Sequence, residues 1–198
     1  MTRPLENLRY LHELTRLRCG PDLLALGLFP DAKEVTESFA AYHAVVEHLP
    51  AFSLSDRDIT LIAVGDGCTP RTGATFALRS AWNCISIDPA LHETGRKGAR
   101  GRPASRRWSA LDRLRVATKH VQFVDPIECE RAVIVAVHSH ALLADAVRAV
   151  RAREVAVVAM PCCVPQTLEA PADVDFRDPG VASPQNRLLV WRSVGGVA

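Results

Sequence analysis

The sequence predicts an α/β protein: a three-layer sandwich built on a mainly parallel sheet, with a helical segment ahead of it. Three observations carry this. Helical spacing dominates residues 1–50. From residue 58 onward, short runs of Val, Ile, Leu and Ala alternate with amphipathic stretches. Those runs are nearly continuously apolar, as strands covered on both faces are. A chain of 198 residues, 48% hydrophobic and 23% charged, suits one soluble domain of this kind. The expected division is a helical segment over 1–50 and a sheet domain over 51–198.

Leu5, Leu8, Leu11 and Leu14 repeat at three-residue spacing and set a first helix. Gly20 and Pro21 punctuate, and "DLLALGLF" reads as a second helix. "DAKEVTESFAAYHAVVEHL" is a longer third one, with Val35, Phe39, Tyr42, Val46 and Leu49 on one stripe. Then the period changes. Strands are expected at 58–65, 84–89, 120–126, 131–140 and from Glu154 to the cysteine pair, with helices at 70–82 and after His140. The Pro- and Asp-rich segment 164–187 reads as irregular, and "RLLVWRSV" as a last strand at a sheet edge.

No apolar run approaches the roughly 20 residues of a membrane span, and the charged start lacks a secretory apolar core. The six cysteines are therefore read as reduced thiols and the location as cytoplasmic. The net charge is +2, but residues 95–107 hold six cations and no acid. Without them, 18 basic residues stand against 22 acidic ones, a net of −4. Arg96, Lys97, Arg100, Arg102, Arg106 and Arg107 are candidate contacts to nucleic-acid phosphates, with Trp108 as a stacking surface; the bland alternative is a solvated loop.

In a parallel sheet, ligands bind beyond the carboxyl ends of the strands. The unusual clusters of this sequence all fall there. "VGDGCTPRTG" follows the first strand, where Gly65 and Gly67 let backbone approach a ligand, and Thr69 and Pro70 are a fitting helix start with free amides. Asp88 ends the second strand, placed to accept ribose hydroxyls. A plain turn and a strand-end cap is the alternative for both. The ligand class this pattern suggests is a nucleoside.

This loop resembles motif I of class I S-adenosylmethionine-dependent methyltransferases, a Rossmann-like superfamily, over roughly residues 58–160. Ala63 and Thr69 stand where the family usually has an acid and a glycine. The resemblance implies S-adenosylmethionine as cofactor, Gly65, Asp66 and Gly67 beside its methionine part, Asp88 on the ribose, and Asp125 near the adenine; Thr69, at the expected helix start, is a further candidate cofactor contact. Asp125 can equally cap its own loop. "VHSHALLADAV" and "VAMPCCVPQ" resemble a branch that includes tRNA ribose 2′-O-methyltransferases, through His138, His140, Asp145, Cys162 and Cys163.

A histidine there can accept a proton during methyl transfer, and a thiolate can act as nucleophile. His138, His140, Cys162 and Cys163 are thus the candidate catalytic residues, against the alternatives of a strand-end hydrogen bond and small buried thiols. A zinc site on both histidines and both cysteines is conceivable, but adjacent cysteines lack the usual zinc-ligand spacing, so no metal is expected. The expected function is methyl transfer to RNA or another nucleotide-containing substrate. The rivals are a non-catalytic binding protein on the same fold and an NAD-linked oxidoreductase.

Overall fold

The computed structural model describes residues 8–91 and 107–195, without the side chains of Arg107 and Ser109. Three helices come first: α1 (Arg9–Arg16), α2 (Gly20–Ala25) and α3 (Ala32–His48). Asp31 caps α3 by accepting the Glu34 amide at 3.0 Å. The main sheet holds β1 (Ile59–Val64), β2 (Asn83–Ile87), β3 (Leu114–Ala117), β5 (Arg131–Val137), β7 (Glu154–Met160), β8 (Val174–Arg177) and β9 (Arg187–Val194). A small parallel pair is formed by β4 (Ile127–Glu128) and β6 (Val150–Arg151). Helix α4 (Arg71–Arg79) joins β1 to β2, and α5 (Leu143–Arg148) follows β5.

The seven strands run in the order β3-β2-β1-β5-β7-β9-β8, parallel through β7 and antiparallel at β9 and β8. This is a Rossmann-like α/β sandwich. Alternate residues of each strand feed different cores, as the pleat dictates. Leu61, Val133, Val135 and Val158 pack with α1, α3 and α4, while Ile62, Ile134, Ala136 and Val157 pack with Leu143 and Ala146 of α5. Strand order reverses between β1 and β5, so the crevice for a ligand opens above their carboxyl ends.

Several expectations change. Strand β3 is Leu114–Ala117, and Val121–Phe123 is a single 3-10 turn. Val121 is buried and Phe123 is 68% exposed, so the apolar residues of "HVQFV" do not alternate across a sheet. Val46 is exposed, and α3 instead buries Thr36, Glu37 and Ser38 with its apolar residues. Thr69 does not cap α4: its hydroxyl donates to the Leu28 carbonyl at 2.7 Å, and the helix begins at Arg71. Strand β9 lies inside the sheet, and the edge strand is β8, within the segment read as irregular. Trp108 is buried in the core, which removes it as a stacking surface. No described helix is long and apolar enough to cross a membrane.

Candidate active site

Gly65 follows β1 with φ +76°, a left-handed backbone that is unfavourable for any residue with a side chain. Space forbids one as well: an added Cβ would lie 2.4 Å from the Ser139 Oγ and 2.8 Å from its Cα. The ends of β1 and β5 therefore touch. Asp66 is buried and turns away from the opening. Its carboxylate accepts the Thr72 amide at 2.9 Å, the Gly73 amide at 3.0 Å and the Ser86 hydroxyl at 2.8 Å. Those bonds satisfy the free amides at the start of α4, so Asp66 caps the helix in place of Thr69.

A cleft of about 640 Å³ opens beside this loop. Gly65, Gly67 and Arg71 line one wall, Asp88, Pro89 and Ala90 a second, Lys119, His120 and Gln122 a third, and His138, His140 and Asp145 the fourth. Asp88 accepts the Gly67 amide at 2.9 Å through Oδ2 and the Ala90 amide at 2.7 Å through Oδ1. Each carboxylate oxygen has a second lone pair, so hydroxyls of a ligand can still bond to it. Asp125 is exposed and lies outside the lining of this cleft; the residues after β3 that do line it are Lys119, His120 and Gln122.

His138 and His140, two residues apart, point to different partners. The backbone of His138 has φ +50°, a strained conformation for a non-glycine residue. That turn sends its ring to α3, where Nε2 lies 2.9 Å from the Glu37 Oε1. Glu37 is 1% exposed and also meets the Lys33 ammonium at 3.1 Å. Burial raises the Glu37 pKa, but the hydrogen bond and charge of His138, with Lys33, more than offset it and hold the carboxyl below its ordinary range. The His138 Nδ1 is buried and has no hydrogen-bond partner among the described residues. His140 is exposed instead, its Nε2 3.2 Å from the Cys163 Sγ. The Cys162 Sγ lies 3.5 Å from that of Cys163 and 3.7 Å from the His138 carbonyl oxygen.

Of the four residues expected at the strand ends, His140, Cys162 and Cys163 cluster, while the His138 ring turns away from them to Glu37. Glu37 was not among the sequence candidates. It stands 101 residues from His138, on a stretch whose apolar stripe spoke only of packing. Arg96, Lys97, Arg100, Arg102 and Arg106 lie outside the described residues, as does the side chain of Arg107.

The chain is similar in fold to MtNAS, solved as a point mutant in complex with S-adenosylmethionine. The TM-score is 0.52 and the identity 13%, covering 93% of this chain and 70% of that one. Geranyl diphosphate methyltransferase in complex with S-adenosylmethionine gives 0.40 and 17% over 70% of this chain and 58% of that one. Coclaurine N-methyltransferase gives 0.40 and 9% over 78% and 49%. No family model and no curated protein matches the sequence. What is shared with MtNAS is the Rossmann-like sandwich.

Proposed function

We propose that the chain is an S-adenosylmethionine-dependent methyltransferase whose acceptor is a small molecule deprotonated at His138. The observation that carries this reading is the Glu37–His138 pair at the wall of the cleft, with the His138 Nδ1 unpaired among the described residues. The residues present fit the cofactor. Gly65 and Gly67 leave bare backbone, Asp88 offers carboxylate lone pairs at the end of β2, and Lys119, His120 and Gln122 form a rim. When bound, S-adenosylmethionine supplies an electrophilic methyl group.

The chain's own residues do the rest. Asp88 accepts ribose hydroxyls. The Glu37 carboxylate accepts the Nε2 proton of His138, which leaves Nδ1 as the acceptor nitrogen of the neutral ring. Nδ1 is buried in this structure, so the side chains over it must shift as the acceptor enters; it then takes a proton from a hydroxyl, amine or thiol of the acceptor, and Glu37 stabilises the imidazolium that results. A second reading, in which the acceptor is RNA or another nucleotide-containing molecule, rests on the six cations that follow the cleft residues Pro89 and Ala90 in sequence.

Calorimetry tests the cofactor. Wild-type protein should bind S-adenosylhomocysteine and not NAD. Asp88→Ala should weaken that binding by about 1.5–3 kcal/mol, the range for a hydrogen bond to a charged group. The fold should survive, because Asp88 sits at a strand end. Equal affinity in the variant would remove Asp88 from the ribose, and NAD binding in place of S-adenosylhomocysteine would favour the oxidoreductase.

A further inference from the structure

His140, Cys162 and Cys163 lie at the junction of two clefts. His140 lines the cleft with Asp88 and His138. The two cysteines line a second one, of about 510 Å³, whose far wall is made by Leu168, Leu189 and Trp191. The donor atoms of the three residues all lie within 4.8 Å of one another. A tetrahedral zinc ion, with bonds of about 2.3 Å to sulfur and about 2.0 Å to nitrogen, holds its donors roughly 3.5–3.8 Å apart. The observed spacings of 3.5 Å (Cys162 to Cys163) and 3.2 Å (Cys163 to His140) need shifts of a few tenths of an ångström, and the third, Cys162 to His140, lies within 4.8 Å and closes with a side-chain movement of up to about 1 Å.

The frame around these donors is built. Gln166 is buried, and its Nε2 donates to the Ser139 carbonyl at 2.8 Å and the Ala141 carbonyl at 3.2 Å. Those carbonyls flank His140, and Gln166 belongs to the same segment as the cysteines. One side chain thus clamps both donor segments to each other. Cys162 is held again by its contact to the His138 carbonyl. Adjacent cysteines are poor metal partners by themselves, and the strand-end turn brings His140 to them as a third donor.

We propose that His140, Cys162 and Cys163 form a three-ligand site for Zn²⁺, open at its fourth position toward the two clefts. Two thiolates and a neutral imidazole balance the charge of a divalent ion, and soft sulfur donors select zinc over magnesium or calcium. Each cysteine loses its thiol proton to solvent as the Zn–S bond forms. Three protein ligands with an open position is the pattern of zinc sites that act on a bound ligand, where structural sites close with a fourth.

The test uses the full chain, metal-stripped and kept reduced with a phosphine. One equivalent of Co²⁺ should give thiolate-to-cobalt charge-transfer absorption with tetrahedral d–d bands, and one equivalent of Zn²⁺ should bleach them. Cys163→Ser and His140→Ala should each weaken Co²⁺ binding at least tenfold. A triple variant with Cys19, Cys68 and Cys129 changed to Ser should keep the bands. Mass spectrometry on wild-type protein adds a readout that needs no variant: Zn²⁺ should slow alkylation of the Cys162–Cys163 peptide and leave that of Cys19 unchanged. Absence of charge-transfer bands, their persistence after Cys162 and Cys163 are both changed to Ser, or alkylation indifferent to Zn²⁺ would overturn the site.

Discussion

Glu37 and Asp66 are buried carboxylates that meet opposite needs. Asp66 directs its lone pairs to the start of α4 and to Ser86, and so fixes the loop from beneath. Glu37 accepts from Lys33 and bonds to His138, so its charge faces the cleft through an imidazole. Its lowered pKa has a consequence for stability. The folded protein binds the Glu37 proton less tightly than the unfolded chain does. The pair therefore contributes its full stabilisation above the unfolded carboxylate pKa, and loses it as pH falls through the lowered folded value. Urea melts between about pH 3 and pH 6 should show this limb partly flattened in Glu37→Gln. Glu13 and Asp175 are lowered too and keep the remainder. An acid limb identical to wild type would uncouple Glu37 from His138.

At the scale of elements, the site depends on how closely β1 approaches β5. Gly65→Ala must place a methyl against the Ser139 backbone in a left-handed conformation. The expected destabilisation is about 2 kcal/mol or more, from strain and overpacking together. Affinity for S-adenosylhomocysteine should fall as well, since the loop and the His138 turn separate. Unchanged melting and binding would show that the close approach is not needed. The same scale shows what the sequence makes legible. Continuous apolar runs mark β1, β5 and β7, because a strand covered on both faces has no polar side. The strand-end clusters follow from topology, since parallel strands put their carboxyl ends on one edge. Strand β3 is hidden because "LRVA" is short and mixed, while "HVQFV" imitates alternation with a turn that buries Val121 and exposes Phe123. Asp66 reads as a ligand residue by motif, and only its three partners reveal a cap. Glu37 is illegible because a helix facing two layers buries polar and apolar residues alike.

The whole molecule divides its charge between one cationic stretch and an otherwise acidic chain. If residues 95–107 meet phosphates, changing Arg96, Lys97, Arg100 and Arg102 to Ala should weaken RNA binding for all sequences alike. The salt dependence should flatten by up to about 0.7 in log–log slope for each phosphate of a single strand that is no longer neutralised. An unchanged slope would leave the small-molecule acceptor as the reading and the stretch as a solvated loop. Cofactor binding is independent of this outcome, because Gly65, Gly67 and Asp88 lie outside the stretch.

The central claim is that the crevice between β1 and β5 holds an adenosyl cofactor with its sulfur facing His138. A crystal structure grown with S-adenosylhomocysteine tests it most directly. The ribose hydroxyls should lie within hydrogen-bond distance of Asp88, the adenine against the rim of Lys119, His120 and Gln122, and the sulfur toward the ring of His138. Electron density for the adenosyl group in any other cleft, or a ribose that makes no contact with Asp88, would contradict it.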